Sequence, residues 1–104
     1  MKKIILIDND NLIHTLWKRE CLKNDIELIS FLSIDDFLEH MNEQDRDITI
    51  YLDSDLGDGI RGEVDGIKIF NEGFHNIILQ TGHATDDVDA PEWIASVQGK
   101  RPKF

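Results

Sequence analysis

The chain has 104 residues, 40% of them hydrophobic, and carries 21 acidic against 11 basic side chains for a formal charge of -10. That length suits one compact domain, and the charge opposes contact with a phosphate backbone or an anionic lipid surface, since no run of Lys and Arg offsets it. The one cysteine, Cys21, cannot form an internal disulfide, and the apolar stretch after Lys2 and Lys3 ends at Ile7, far short of a signal peptide or membrane span. The expectation is a protein of a reducing cytoplasm with Cys21 as a small core residue.

Short apolar runs alternate with helical patterns, and no repeat or low-complexity linker interrupts them; this is the order of βαβ units. The first predicted strand is Lys3–Ile7. A helix follows over Asn11–Lys23, capped by Asp10 or Asn11, with Leu12, Ile13, Leu16, Trp17 and Cys21 recurring at steps of three or four. "IELIS" within Ile26–Phe31 alternates apolar and polar residues and reads as an edge strand. Ser33 can cap a second helix, with Asp36 at the capping-box position and Phe37, Leu38 and Met41 on its apolar side.

The third strand, Ile48–Leu52, is apolar enough to be buried on both faces. A third helix is expected over Gly62–Glu72, with Val64, Ile67 and Phe70 inward and Gly73 as its stop. Lys3–Ile7 and the fourth strand, Asn76–Gln80, share the apolar character of the third, and Trp93–Val97 makes the fifth. Between them "HATDDVDAP" reads as a loop with at most one helical turn.

Parallel strands joined by right-handed crossovers form an open sheet with helices on both faces, and ligands collect beyond the carboxyl ends of such strands. Those ends gather Asp8, Asn9 and Asp10 after the first strand, Asp53 after the third, Thr81 and Gly82 after the fourth, and Lys100 after the fifth. Taken singly, the Asp and Gly residues of "DLGDG" are ordinary turn formers, and Thr81 or Lys100 alone would be a strand terminus or a surface charge. Their convergence on one sheet edge is the informative feature.

In the order and spacing of "ILIDND", "IYLDSDLGDG", "LQTGH" and "VQGKRP" the chain resembles the receiver domains of two-component response regulators over nearly its whole length. The resemblance implies a flavodoxin-like α/β fold: a three-layer, doubly wound, parallel five-stranded sheet of order 2-1-3-4-5. It also implies that Asp53 is the phosphoacceptor and that Thr81 and Lys100 contact the phosphoryl group. Mg²⁺ would be held by Asp8, Asn9, Asp10 and Asp53 with the backbone carbonyl of Asp55. A histidine kinase or phosphotransfer protein would donate the phosphoryl group.

Clustered carboxylates repel an incoming phosphoryl group, and a divalent cation with oxygen ligands removes that repulsion. Three departures from the family pattern matter here. Asn9 stands where a second adjacent carboxylate is usual, Arg101 separates Lys100 from Pro102, and Val97 occupies a position that often carries an aromatic switch. The expected final helix is missing and the fourth is shortened, so an apolar face beside Asn11–Lys23 invites a homodimer or a partner.

Two other readings compete. One is a pseudo-receiver, an interaction module that keeps the fold without phosphorylation. The other is a phosphatase of the haloacid-dehalogenase type, in which Asp53 of "YLDSD" is the nucleophile and Asp55 the acid/base. The histidines His14, His40, His75 and His83 show no zinc-ligand spacing, and His83 alone is expected near the site.

Overall fold

The computed structural model describes residues 2–82 and 90–102. Five strands, β1 (Lys2–Ile7), β2 (Ile26–Phe31), β3 (Thr49–Asp53), β4 (Ile77–Thr81) and β5 (Ser96–Gly99), form one sheet in the order β2-β1-β3-β4-β5. Every pairing in it is parallel. Between the strands run α1 (Asn11–Lys23), α2 (Ile34–His40), α3 (Gly62–Asp65) and α4 (Ile67–Asn71), with a short 3₁₀ turn over Met41–Glu43.

The central strands are buried on both faces, and their alternation sorts the core into two layers. Ile5, Ile7, Ile50, Leu52, Ile77 and Leu79 pack with Phe37, Ile69 and Phe74 on one side. Ile4, Leu6 and Tyr51 pack with Trp17 and Cys21 of α1 on the other. By the same period of two, Asp8 follows Leu6 and Asp53 follows Tyr51, so both carboxylates belong to the α1 side at the carboxyl edge of the sheet.

The helix starts follow the capping chemistry. Asp10 accepts from Leu12 N at 2.9 Å, and Ser33 accepts from Asp36 N at 3.1 Å. At the opposite end of the sheet Arg46 ties two loops together, donating to Met41 O, Gln44 O and Glu72 O at 2.9 to 3.2 Å. Its guanidinium also sits 4.4 Å from the Phe74 ring centre.

Several expectations need correction. In α1 the inward stripe is His14, Trp17 and Cys21, whereas Leu12 and Leu16 face outward, 78% and 37% exposed. The aromatic ring and the thiol bury against the sheet, and a shift of the stripe by one residue turns the leucines to solvent. β3 and β4 each end one residue later than predicted, which places Asp53 and Thr81 inside their strands. β5 runs over Ser96–Gly99 instead of Trp93–Val97. Trp93 and Ile94 serve as a plug against the Phe70 and Ile69 side of the core, so their apolarity reflects packing from a loop.

The predicted helix over Gly62–Glu72 forms in two pieces, and its inward face is Gly62, Gly66 and Ile69, with Val64 exposed and Ile67 and Phe70 only partly buried. The glycines explain the rotation. A Cβ on Gly62 would collide with the carbonyl oxygen of Asp53, and one on Gly66 would meet Leu52 and Trp93. Bare backbone is therefore what lies against β3. Gly73 ends α4 with φ +99°, as predicted for a C′ glycine.

Gly62→Ala is expected to destabilise the fold by about 1–3 kcal/mol, since the obstruction is main chain and cannot step aside like a flexible side chain. Thermal unfolding followed by circular dichroism checks this. An unchanged midpoint would mean that α3 can retreat from β3 at no cost.

Candidate functional site

Asp8 and Asp53 are both fully buried, and Thr81 nearly so at 1% exposure. Asp8 leaves β1 held from both sides: its N–H donates to Phe31 O at 3.1 Å, and its Oδ1 accepts from Asp10 N at 2.9 Å. Lys100, just past β5, reaches between the carboxylates, with Nζ 3.0 Å from Asp53 Oδ1 and 4.0 Å from Asp8 Oδ2. Asp53 Oδ1 also accepts from Asp55 N at 3.3 Å. The second oxygen of each acid, Asp8 Oδ2 and Asp53 Oδ2, is buried with no hydrogen-bond donor among the described residues.

Two buried carboxylates share one ammonium, so the charges do not balance. Burial pushes the Asp8 carboxyl up to about 6, helped by the charge of Asp53 and opposed by the Asp10 N–H and by Lys100. Burial also raises Asp53, against the hydrogen bond and charge of Lys100. Burial alone would lower Lys100, but its hydrogen bond to Asp53 and the charges of Asp53, Asp8 and Asp10 outweigh it and hold the ammonium protonated.

The structure thus brings Asp8, Asp53 and Lys100 together. Thr81 joins Asp53 and Lys100 on the wall of a cleft of about 220 Å³ that is also lined by Ser54, Asp55, Arg61 and Gly82. Asp10 is occupied as the cap of α1, and Asn9 is exposed, with its amide lying beside Gly57. The side chain of Asp55 turns into its own loop, where Oδ1 accepts from Gly57 N at 3.1 Å. The predicted neighbour His83 and the loop "HATDDVDAP" up to Asp89 lie outside the described residues.

Four residues bear on the site without having been singled out for it. His14 is buried with Nε2 2.6 Å from Asp8 O; a carbonyl only accepts, so Nε2 carries the proton. Trp17 donates from Nε1 to Lys100 O at 3.2 Å. Arg61 and Glu63 form an ion pair at 2.9 Å, and Glu63 Oε2 accepts from Ser54 Oγ at 2.8 Å. The spacing of His14 and Trp17 was a signal, since an i, i+3 pair on one stripe places both rings toward the same strand ends.

A larger hollow of about 880 Å³ adjoins the cleft between α1 and β5, with Ile13, Leu16 and Val97 beside Lys100 and Arg101. It shares Thr81, Gly82 and Lys100 with the cleft, and none of the described residues that line it is acidic.

No protein-family profile and no curated protein matches the chain. Solved structures do. The chain is similar to the response regulator TrrA of Thermotoga maritima, solved in complex with Mg²⁺-BeF, with a TM-score of 0.77 at 23% identity over 100% of this chain and 89% of that one. It is also similar to the N-terminal domain of a response regulator/sensory box/GGDEF three-domain protein of Carboxydothermus hydrogenoformans. There the TM-score is 0.78 at 17% identity, over 98% of this chain and 84% of that one. The five-stranded parallel sheet in the order β2-β1-β3-β4-β5 and these likenesses identify the fold as that of a receiver domain.

Proposed function

We propose that the chain is a phospho-accepting receiver module, one domain of a two-component or phosphorelay system, with Asp53 as acceptor. The observation that carries this reading is the pair of buried acids bridged by Lys100, each with an oxygen that lacks a donor among the described residues. Two unpartnered anionic oxygens at one strand edge suit a cation that prefers oxygen ligands. Asp8 and Asp53 would hold Mg²⁺ with the Asp55 carbonyl, and Asn9 and Asp10 stand next to them in sequence. Bound there, Mg²⁺ supplies neutralisation of the charge on the transferred oxygens.

In the transfer, a carboxylate oxygen of Asp53 bonds to phosphorus while the donor's P–N bond breaks, and the departing imidazole of a histidine kinase or phosphotransfer partner keeps the electron pair and gains a proton. Lys100 already touches the acceptor and would follow the developing charge, and the Thr81 hydroxyl on the same cleft would donate to a phosphoryl oxygen. The work is signalling, with no turnover beyond self-phosphorylation and slow self-dephosphorylation. A reducing cytoplasm suits such a partner and a lone buried Cys21. No helix among the described residues is long and apolar enough to cross a membrane. The hollow between α1 and β5 is the surface for a homodimer contact or a partner.

The phosphatase reading needs the Asp55 side chain as acid/base, and its engagement with Gly57 N points away from that role. Incubation with Mg²⁺ and acetyl phosphate, read by intact mass, tests the assignment. Wild type and Asp55→Asn should each gain one phosphoryl group and Asp53→Asn none. No addition to wild type would leave a pseudo-receiver, and labelled Asp53→Asn would move the acceptor elsewhere.

A further inference from the structure

The cleft that holds Asp53 has a second cation on its wall, and the phosphoacceptor chemistry assigned to Asp8, Asp53, Thr81 and Lys100 does not use it. Arg61 lines the same cleft as Lys100. Its backbone is fixed there: it bridges to Asp55, its N–H donates to Asp65 Oδ2 at 3.0 Å, and the next residue donates from Gly62 N to Ser54 O at 2.9 Å. Its guanidinium is parked, with Nε 2.9 Å from Glu63 Oε1 and Nη2 3.3 Å from Ser54 Oγ. Ser54 is the residue directly after the acceptor and is 3% exposed. The fork therefore ends one residue from Asp53.

A guanidinium carries five N–H donors in a plane, and these contacts use two of them. The rest of the fork has no hydrogen-bond partner among the described side chains, and the side chain is about half exposed, so reorientation costs little packing. The phosphoryl group itself carries about -1.5 to -2 charges, and because Asp53 gives up its own carboxylate charge on forming the acyl phosphate, the cleft, which Asp55 also lines, gains about one negative charge. Lys100 is the other cation on that wall and is shared between two carboxylates. Planar, bidentate recognition of phosphate oxygens is what Arg does better than Lys.

We propose that Arg61 is a second phosphoryl-contacting cation beside Lys100, which leaves Glu63 to clamp the group carried by Asp53. The proposal rests on Asp53 being the acceptor. Glu63 is the natural parking place: burial would raise its carboxyl, but the hydrogen bonds from Arg61 and Ser54 outweigh that and hold it ionised. Since Glu63 lies in the first turn of α3 and α3 lies bare-backboned against the Asp53 carbonyl, release of Arg61 also removes a tie between the cleft and that helix.

The test is titration of wild type, Arg61→Ala, Arg61→Lys and Glu63→Gln with beryllium fluoride in Mg²⁺, read by calorimetry, beside the decay of the acetyl-phosphate-labelled form. Arg61→Ala should weaken fluoroberyllate binding about tenfold, and Arg61→Lys should recover part of that. Glu63→Gln should bind as tightly as wild type or tighter, because the competing charge on the guanidinium is gone. Arg61→Ala within twofold of wild type would overturn the proposal and leave Asp53 as acceptor. So would a Glu63→Gln loss equal to that of Arg61→Ala, which would mean Arg61 acts by bracing the loop. Wild type that takes neither fluoroberyllate nor label would overturn the acceptor reading, and this proposal with it.

Discussion

Asp8→Asn is expected to make the protein more stable and less able to hold Mg²⁺. Asp8 and Asp53 are both fully buried and share Lys100, so among the described residues one ammonium pairs with two negative charges. Removing that of Asp8 leaves a matched Asp53–Lys100 pair. Asparagine keeps an oxygen for the Asp10 N–H and gains an NH₂ for an acceptor such as Asp53 Oδ2, which lacks a donor among those residues. A gain of about 1–2 kcal/mol fits the relief of an uncompensated buried charge, at about 4–8 °C in midpoint per kcal/mol for a domain of this size.

The pH dependence has a definite sign. Asp8 moves from 3.8 up to about 6 on folding, so between those values the folded chain holds a proton that the unfolded chain has released. Wild-type stability from this group therefore falls as pH rises through that window and is lowest above it. Mg²⁺ affinity runs the other way, since the cation needs the carboxylate ionised. Midpoints at pH 5 and 7.5, with and without Mg²⁺, should show a wild-type loss at the higher pH, recovered by Mg²⁺, and a flatter response in Asp8→Asn. Equal pH slopes in the two proteins would place the unbalanced charge somewhere other than Asp8.

Trp17→Ala should be the most damaging single truncation, at about 3–5 kcal/mol. Trp17 is fully buried, tilts at 59° on Tyr51 with ring centres 4.8 Å apart, and fills the smaller of the two core layers. Trp17→Phe keeps much of that contact but loses the Nε1 hydrogen bond to Lys100 O, worth about 0.5–1.5 kcal/mol. That substitution should also loosen the loop that carries Lys100 and slow labelling at Asp53 more than its stability cost explains. Urea unfolding read by circular dichroism gives the first quantity and intact-mass time courses the second. A Trp17→Ala cost below about 1 kcal/mol would show that the α1 layer can collapse around the gap.

Sequence reading reached furthest where side-chain character and position agree. α1 and β2 have the predicted bounds, and β1 differs by one residue, because Asp10 caps at the expected place and strong apolar runs end in polar residues. The site was legible for the same reason: strand ends are marked by the change from Ile, Leu and Tyr to Asp, Thr and Lys. It failed where contact is made without hydrophobic side chains. Gly62 and Gly66 press against β3 through their missing Cβ atoms, which no hydrophobic periodicity registers, so Val64 and Phe70 took their place. It failed again at β5, where "SVQG" is polar because it lies at the sheet edge, and the more apolar Trp93 and Ile94 drew the strand to themselves. The Arg61–Glu63–Ser54 network was invisible because its geometry depends on the loop around Gly57, Asp58 and Gly59, all of which have positive φ.

Chain order also gives the acid pair a history. Asp8 leaves the ribosome first, Asp53 follows once β3 can pair with β1, and Lys100 arrives only after β5. A chain that pairs β1 with β3 before β5 is made would hold two like charges at one edge without their cation. The residue that follows the last of the described strands thus neutralises the one that follows the first, and docking of Lys100 by Trp17 ties charge balance to the joining of β5. A chain interrupted before β5 carries its electrostatic debt openly, in a form that distinguishes it from the finished molecule.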